Sequence, residues 1–274
     1  MSKKIICMYG EQPAITNKDS RQPKIRKLKA EKKAEKVEET FMTKKFSSKT
    51  YAEFIQKIEP KSISQEMLFT HYHNGNNLLL HGYAGTGKTF LSMALALKEI
   101  LSSDKAYERL NIIRSVVPSR DMGFLPGDIK EKSAVFEAPY ADICNHDLFG
   151  KPNSYENLKN EGVINFTTTS FLRGMTFSDS IIFIDEFQNM VDQELHTLLT
   201  RVGPRCRVIV SGDIRQSDLE RDSEKRGMFN LIKIIQKMPS FRTVEFSIDD
   251  VVRSKFCKEY LIAKDQFDEE KKSS

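Results

Sequence analysis

The stretch His81-Gly82-Tyr83-Ala84-Gly85-Thr86-Gly87-Lys88-Thr89 leaves this chain the fewest choices of fold. It fits G-x-x-x-x-G-K-[ST], with Gly82, Gly87, Lys88 and Thr89 at the fixed places. Glycines let the backbone of Tyr83, Ala84, Gly85 and Thr86 curl, so that successive N–H groups converge on phosphate oxygens. The Lys88 ammonium reaches the β- and γ-phosphates, and the Thr89 hydroxyl ligates Mg²⁺. The flanks agree. Leu78-Leu79-Leu80 leads in as a buried strand would, and Phe90 to Leu97 opens a helix whose N-terminal dipole favours anions. The cofactors implied are ATP and Mg²⁺.

Short apolar runs alternate with helical stretches along the rest of the chain. Strands are predicted at residues 110–114, 163–167, 181–184, 207–211 and 243–246. Ile181-Ile182-Phe183-Ile184 is apolar at every position, as a strand buried on both faces must be. The pattern predicts an α/β fold with a mostly parallel sheet and helices on both faces. Ligands in such sheets bind at the carboxyl ends of the strands. Upstream, residues 51–55 look helical, and a second helix starts near residue 64 with Ser64 as its cap. Gln65 stands 17 residues before Gly82 with an amide that matches an adenine edge, although a Gln there also suits a solvent-facing helix position. His71 and His73, without a further ligand, read as structural.

Chemistry collects at the strand ends. Asp185 closes the fourth strand, where a carboxylate can hold the Mg²⁺ carried by Thr89. Glu186 points elsewhere and can orient or deprotonate a water facing the γ-phosphate. An Asp alone leaves a kinase or a switch open; Asp followed by Glu favours hydrolysis. Gly212-Asp213-Ile214-Arg215-Gln216 closes the fifth strand, and Gln216 is placed to contact the γ-phosphate or its attacking water. Arg114, Arg120 and Lys130 lie beyond the second strand and are the core's candidates for nucleic-acid contacts.

Charge divides the chain. The net charge of +5 comes from residues 1–50, which hold 14 Lys/Arg against 6 Asp/Glu, while the remainder holds 29 against 32. Residues 24–39 are good helix formers with too few apolar side chains for a core. They read as a solvated, flexible extension or as an arm along a nucleic-acid backbone. The organisation predicted is a basic extension over 1–50, a globular domain over 51–265 and a polar tail over 266–274. No apolar run approaches the roughly 18 residues of a membrane span, and no signal-peptide core is present. Cys7, Cys144, Cys206 and Cys257 lie far apart, as reduced thiols of a cytoplasmic protein would.

Several segments taken together resemble the PhoH-like ATPases. They are the phosphate loop, Gly123-Phe124-Leu125-Pro126-Gly127-Asp128, Phe171-Leu172-Arg173-Gly174-Met175-Thr176, Ile184-Asp185-Glu186-Phe187-Gln188-Asn189, Thr200-Arg201-Val202-Gly203, Ser211-Gly212-Asp213-Ile214-Arg215-Gln216 and Asp250-Val251-Val252-Arg253. They follow in the family's order over roughly residues 60–265. The segment Arg114 to Met122 looks more like bacteriophage members, which would place the protein in a host's cytoplasm. Asp185-Glu186-Phe187 replaces the commoner Asp-Glu-Ala.

The resemblance implies a RecA-like core related to that of superfamily 1 helicases, with ATPase activity and a role on RNA or single-stranded nucleic acid. It makes Gln65 the adenine reader. Superfamily 1 helicases use two RecA-like domains and this chain has length for one, so unwinding would need a homo-oligomer such as a hexameric ring. The resemblance also puts a family arginine at Arg253, which a neighbouring subunit would present to the γ-phosphate; the alternative is a surface ion pair with Asp249 or Asp250. Two other functions stay open: an ATP-driven regulator of a protein partner, and a nucleotide or small-molecule kinase, which Asp185-Glu186 and the lack of a lid disfavour.

Overall fold

The computed structural model describes residues 51, 55, 58–115, 129–172, 174–216 and 222–273, with the backbone alone described at 129–133, 222–226 and 272–273. All belong to the second of the two units into which the chain divides, Phe46–Ser274. The elements run α1 (Ile63–His73), β1 (Asn77–Gly82), α2 (Lys88–Ile100), β2 (Arg109–Arg114), α3 (Ile129–Asp142), α4 (Ser154–Asn160), β3 (Ile164–Thr168) and β4 (Ser180–Asp185). Then come α5 (Asp192–Leu199), β5 (Cys206–Gly212), α6 (Asp222–Ile235), β6 (Phe241–Phe246) and α7 (Lys255–Ser273). A π-helical turn, Ile143–Leu148, follows α3 directly.

The six strands form one sheet in the order β3-β2-β4-β5-β1-β6. Every pairing in it is parallel. Strand alternation sorts the apolar side chains onto two faces. Leu78, Leu80, Leu110, Ile112, Ile181, Phe183 and Ile209 join one core cluster with residues of α1, α2 and α4. Leu79, Ile113, Ile182, Ile184, Val208 and Val210 join the other, under α5 and α6. That division explains why β4 is apolar throughout: both its faces are covered, and all six residues are buried. No helix among the described residues is long and apolar enough to cross a membrane.

Local chemistry corrects one detail. Ser62, not Ser64, caps α1, accepting from the Gln65 amide at 3.4 Å. The Ser64 hydroxyl instead donates to Asp250 Oδ2 at 2.9 Å and lies 2.9 Å from the Glu245 carbonyl, tying α1 to the end of β6.

β5 lies between β1 and β4, so the phosphate loop at the end of β1 and the acidic pair at the end of β4 face each other across one strand. Gly82 is demanded by this sheet as well as by the loop. A Cβ there would stand 2.0 Å from the Phe246 carbonyl oxygen, and Gly82 holds φ at 128°. Gly82→Ala should therefore part β1 from β6 and cost at least the ~1–3 kcal/mol of an overpacked core. Thermal unfolding followed by circular dichroism should show a Tm several degrees lower; an unchanged Tm would mean that the β1–β6 seam gives way freely.

Candidate nucleotide site

The phosphate loop passes from β1 into α2, which Gly87 caps with φ at 85°. Lys88, the first residue of α2, is buried, and its ammonium donates to the Gly82 and Tyr83 carbonyls at 2.9 and 2.7 Å and to Thr86 Oγ1 at 3.4 Å. Burial lowers its pKa, against the opposing pull of Asp213, Asp185 and Glu186. Three carboxylates thus converge on one buried cation. The loop is also braced from outside, because the Gly85 carbonyl accepts from Val252 N at 3.1 Å and Arg253 N at 3.2 Å. A Cβ on Gly85 would press on Arg253 Cβ and Cys257 Sγ, each 3.2 Å away.

Asp185 is buried at the end of β4. The Thr89 hydroxyl lies 3.3 and 3.2 Å from its two oxygens, and the Tyr140 hydroxyl donates to Oδ2 at 3.0 Å. Burial, and after it the neighbouring Glu186, push the Asp185 carboxyl up to about 6. A divalent cation would reverse that tendency. Thr89 and Asp185 offer the hard oxygen donors that Mg²⁺ takes, and Lys88 stands beside them, so the residues fit a Mg²⁺–nucleotide.

Glu186 is half-buried and adopts the left-handed conformation (φ 54°, ψ 42°), which a non-glycine residue rarely takes. Glu186 and Asp185 have different partners: Glu186 is bonded to Gln188, whereas Asp185 faces Thr89 and Tyr140. Gln188 connects Glu186 to the neighbouring strand end. Its amide nitrogen donates to Glu186 Oε2, and its Oε1 accepts from Asp213 N at 3.0 Å. Gly212 makes room for this bridge, since a Cβ there would lie 2.2 Å from Gln188 Oε1.

The other expected site residues fall at varied distances from this centre. Gln65 is buried against the loop, with Nε2 donating to the Thr86 carbonyl at 3.0 Å and Oε1 accepting from Lys61 N at 2.7 Å. Gln216 is exposed, held by its own N–H to the Asp213 carbonyl at 3.0 Å. It borders a cavity of about 580 Å³ with Tyr83, Asp213, Arg215 and Asp265. Arg253 is exposed above its own phosphate loop. The alternative ion pair does not form: Asp249 is bonded to Lys258 at 2.9 Å, and Asp250 is taken by Ser64 and Ser247. Arg114 stands beside Asp185, its register partner on β4, and over the Phe136 ring at 5.8 Å. Arg114 is thus half-buried at the edge of the nucleotide site. Arg120 lies outside the described residues, and of Lys130 only the helical backbone is described.

The family described as PhoH-like protein matches residues 57–264. The chain belongs to that family. Protein PhoH of Escherichia coli K12 is 33% identical over 183 residues, which cover 66% of this chain and 51% of that protein. A PhoH-like protein of Mycobacterium leprae is 30% identical over 213 residues, 77% of this chain and 60% of that one. The chain thus spans about half the length of the curated relatives it matches. Among solved structures, unliganded Pif1 from a Bacteroides species aligns with a TM-score of 0.34 and 14% identity, covering 70% of this chain and 42% of that chain. A likeness of that size supports no inference about activity.

Four residues of this PhoH-like site escaped the sequence reading. Gln188 was visible as a neighbour of Asp185-Glu186, but nothing in its spacing announces the bond to Asp213. Arg215 adjoins Gln216, yet its guanidinium stacks 3.7 Å from the Tyr83 ring centroid and bonds Asp265 of α7 at 3.2 Å. Asp265 also accepts from the Tyr83 hydroxyl, so α7 is clasped to the phosphate loop. Tyr140 sits in a helix with no motif, and only folding brings it to Asp185.

Proposed function

We propose that this PhoH-like protein binds ATP and hydrolyses it with Mg²⁺, in response to RNA or single-stranded nucleic acid. The observation that carries the ATPase reading is the convergence of Thr89 and Asp185 across β5, with buried Lys88 beside them and Glu186 held next to them by Gln188. In this reading Lys88 and the loop amides hold the phosphates, and Thr89 and Asp185 hold the cation, which neutralises charge on the phosphates when bound. Glu186 orients and deprotonates the attacking water, Gln216 reports the γ-phosphate, and Gln65 reads adenine once its present backbone partners let it turn. A homo-oligomer, for instance a hexameric ring, belongs to the same proposal. Phe256, Tyr260 and Phe267, exposed along α7, are the apolar surface that such an assembly would bury.

Phosphate release measured with and without single-stranded RNA or DNA tests the whole reading. Turnover that rises with nucleic acid is the expected result. Turnover indifferent to nucleic acid but dependent on a protein would move the reading to an ATP-driven regulator. The basic leader over residues 1–50 supports the nucleic-acid half. Its deletion should weaken binding and flatten the salt dependence, by about 0.7 in log–log slope for each single-strand phosphate that the leader no longer neutralises. An unchanged slope would reduce the leader to a solvated extension. Because Arg114 stands beside Asp185, reversing its charge should disturb basal turnover too, whereas reversal at Arg120 should reduce only the nucleic-acid response.

A further inference from the structure

We propose that Tyr140 is a positioning residue of the nucleotide site: from α3 its hydroxyl fixes the Asp185 carboxylate so that a cation shared with Thr89 meets it in one orientation. The inference rests on the reading of this site as one for Mg²⁺–ATP.

The geometry is specific. Tyr140 is fully buried, and its hydroxyl lies 3.0 Å from Asp185 Oδ2. The Ser211 hydroxyl and the Arg114 charge also act on Asp185, yet an aspartate side chain has two rotatable bonds and four lone-pair directions, so a loosely held one can present either oxygen to a cation. The Thr89 hydroxyl is nearly equidistant from both, at 3.3 and 3.2 Å, and cannot choose between them. The Tyr140 hydroxyl can, because it engages Oδ2 alone. Partners of this kind, one bond removed from a metal, are worth about 10–100-fold in metal affinity.

The surrounding structure aims the hydroxyl. The Tyr140 ring leans on Phe166 of β3, with centroids 5.8 Å apart. One turn earlier on the same helical face, Phe136 lies beneath the Arg114 guanidinium. Together Phe136 and Tyr140 cover the ends of β2 and β4, where Arg114 and Asp185 are register partners. The helix is irregular at this point. Pro139, immediately before Tyr140, lacks the N–H of a regular helix turn, and the π-helical turn begins three residues after Tyr140, at Ile143. Short π-helical insertions recur at functional sites because they re-aim side chains. Here the irregular stretch brackets the α3 residue that reaches Asp185.

A hydroxyl that merely satisfies its own hydrogen bond would stabilise the fold without affecting metal. The test separates the two. Full-length wild-type and Tyr140→Phe proteins are titrated with Mn²⁺ in the presence of ADP, and free Mn²⁺ is read by electron paramagnetic resonance. Tyr140→Phe should bind Mn²⁺ about 10–100-fold more weakly, with metal-free ADP affinity unchanged. The Mg²⁺ concentration for half-maximal turnover should rise in parallel, while the KM for ATP at saturating Mg²⁺ holds. Phe166→Leu, which loosens the ring's packing without touching the hydroxyl, should keep wild-type Mn²⁺ affinity. A folded Tyr140→Phe protein with wild-type Mn²⁺ affinity overturns the proposal. Equal weakening by Phe166→Leu also overturns it, by making packing the cause. Wild-type protein that binds neither ADP nor Mn²⁺–ADP removes the nucleotide reading itself, and this inference with it.

Discussion

Glu186→Gln should leave ATP bound while turnover falls by about a hundredfold or more, the range for loss of a positioned base. The substitution keeps the side chain's shape and its left-handed backbone, so binding has no reason to change. What it removes is the ability to accept a proton. It also sets one amide against another at the Gln188 bridge, where the carboxylate now accepts from Gln188 Nε2. Lys88→Ala is the companion with the opposite signature. It deletes the buried cation on which Asp213, Asp185 and Glu186 converge and which the phosphates would otherwise meet. Both ATP binding and hydrolysis should then be lost, since charge-assisted contacts to phosphate are the strong ones. A fluorescent ATP analogue reads binding and phosphate release reads turnover. Wild-type turnover in Glu186→Gln would end the assignment of the catalytic carboxylate.

Arg253→Ala should lower turnover by roughly 10³-fold or more, the scale on which an arginine at the transferring phosphoryl group acts. Sequence resemblance suggests delivery by a neighbouring subunit. The backbone contacts of Arg253 make delivery within the chain the alternative to test. Val252 N and Arg253 N are both bonded to the chain's own Gly85 carbonyl, which anchors the arginine backbone to the loop beside which its side chain stands exposed. Neither candidate ion pair restrains the guanidinium, because Asp249 and Asp250 have other partners. Mixing Arg253→Ala with Lys88→Ala decides between the two. If each arginine serves its own site, mixed assemblies contain no complete site and activity stays absent. Partial recovery, in subunits shown to exchange, would put the arginine across an interface. Normal turnover of Arg253→Ala by itself would remove the residue from the reaction.

Much of this molecule was legible in its residues because the relevant signals are local. The phosphate loop, the apolar run 181–184 and the acidic pair after it depend on neighbours in sequence, and each of the six strands lies within one or two residues of its apolar signal. Apolar content and alternation also determined that the sheet would be covered on both faces. Strand order was not legible. That β5 separates β1 from β4, and so sets Thr89 opposite Asp185, follows from packing helices on two faces and not from any short pattern. Gly82 shows the same limit: its motif states a phosphate-binding reason, while the Phe246 carbonyl that also excludes a side chain lies 164 positions away. Arg114 read as a nucleic-acid contact from its place at the end of a strand; that it also lies beside a buried carboxylate follows only from the β2–β4 register. The contacts made by Tyr140, by Gln188 and in the Arg215–Asp265 clasp had no sequence signal for a related reason. A single hydrogen bond between residues far apart in the chain constrains geometry without imposing a period or spacing on sequence. Sequence by itself determined which chemical groups this protein has and on which strand ends they sit; only tertiary structure decided which of them meet, because distance in a parallel sheet is set by strand order and register.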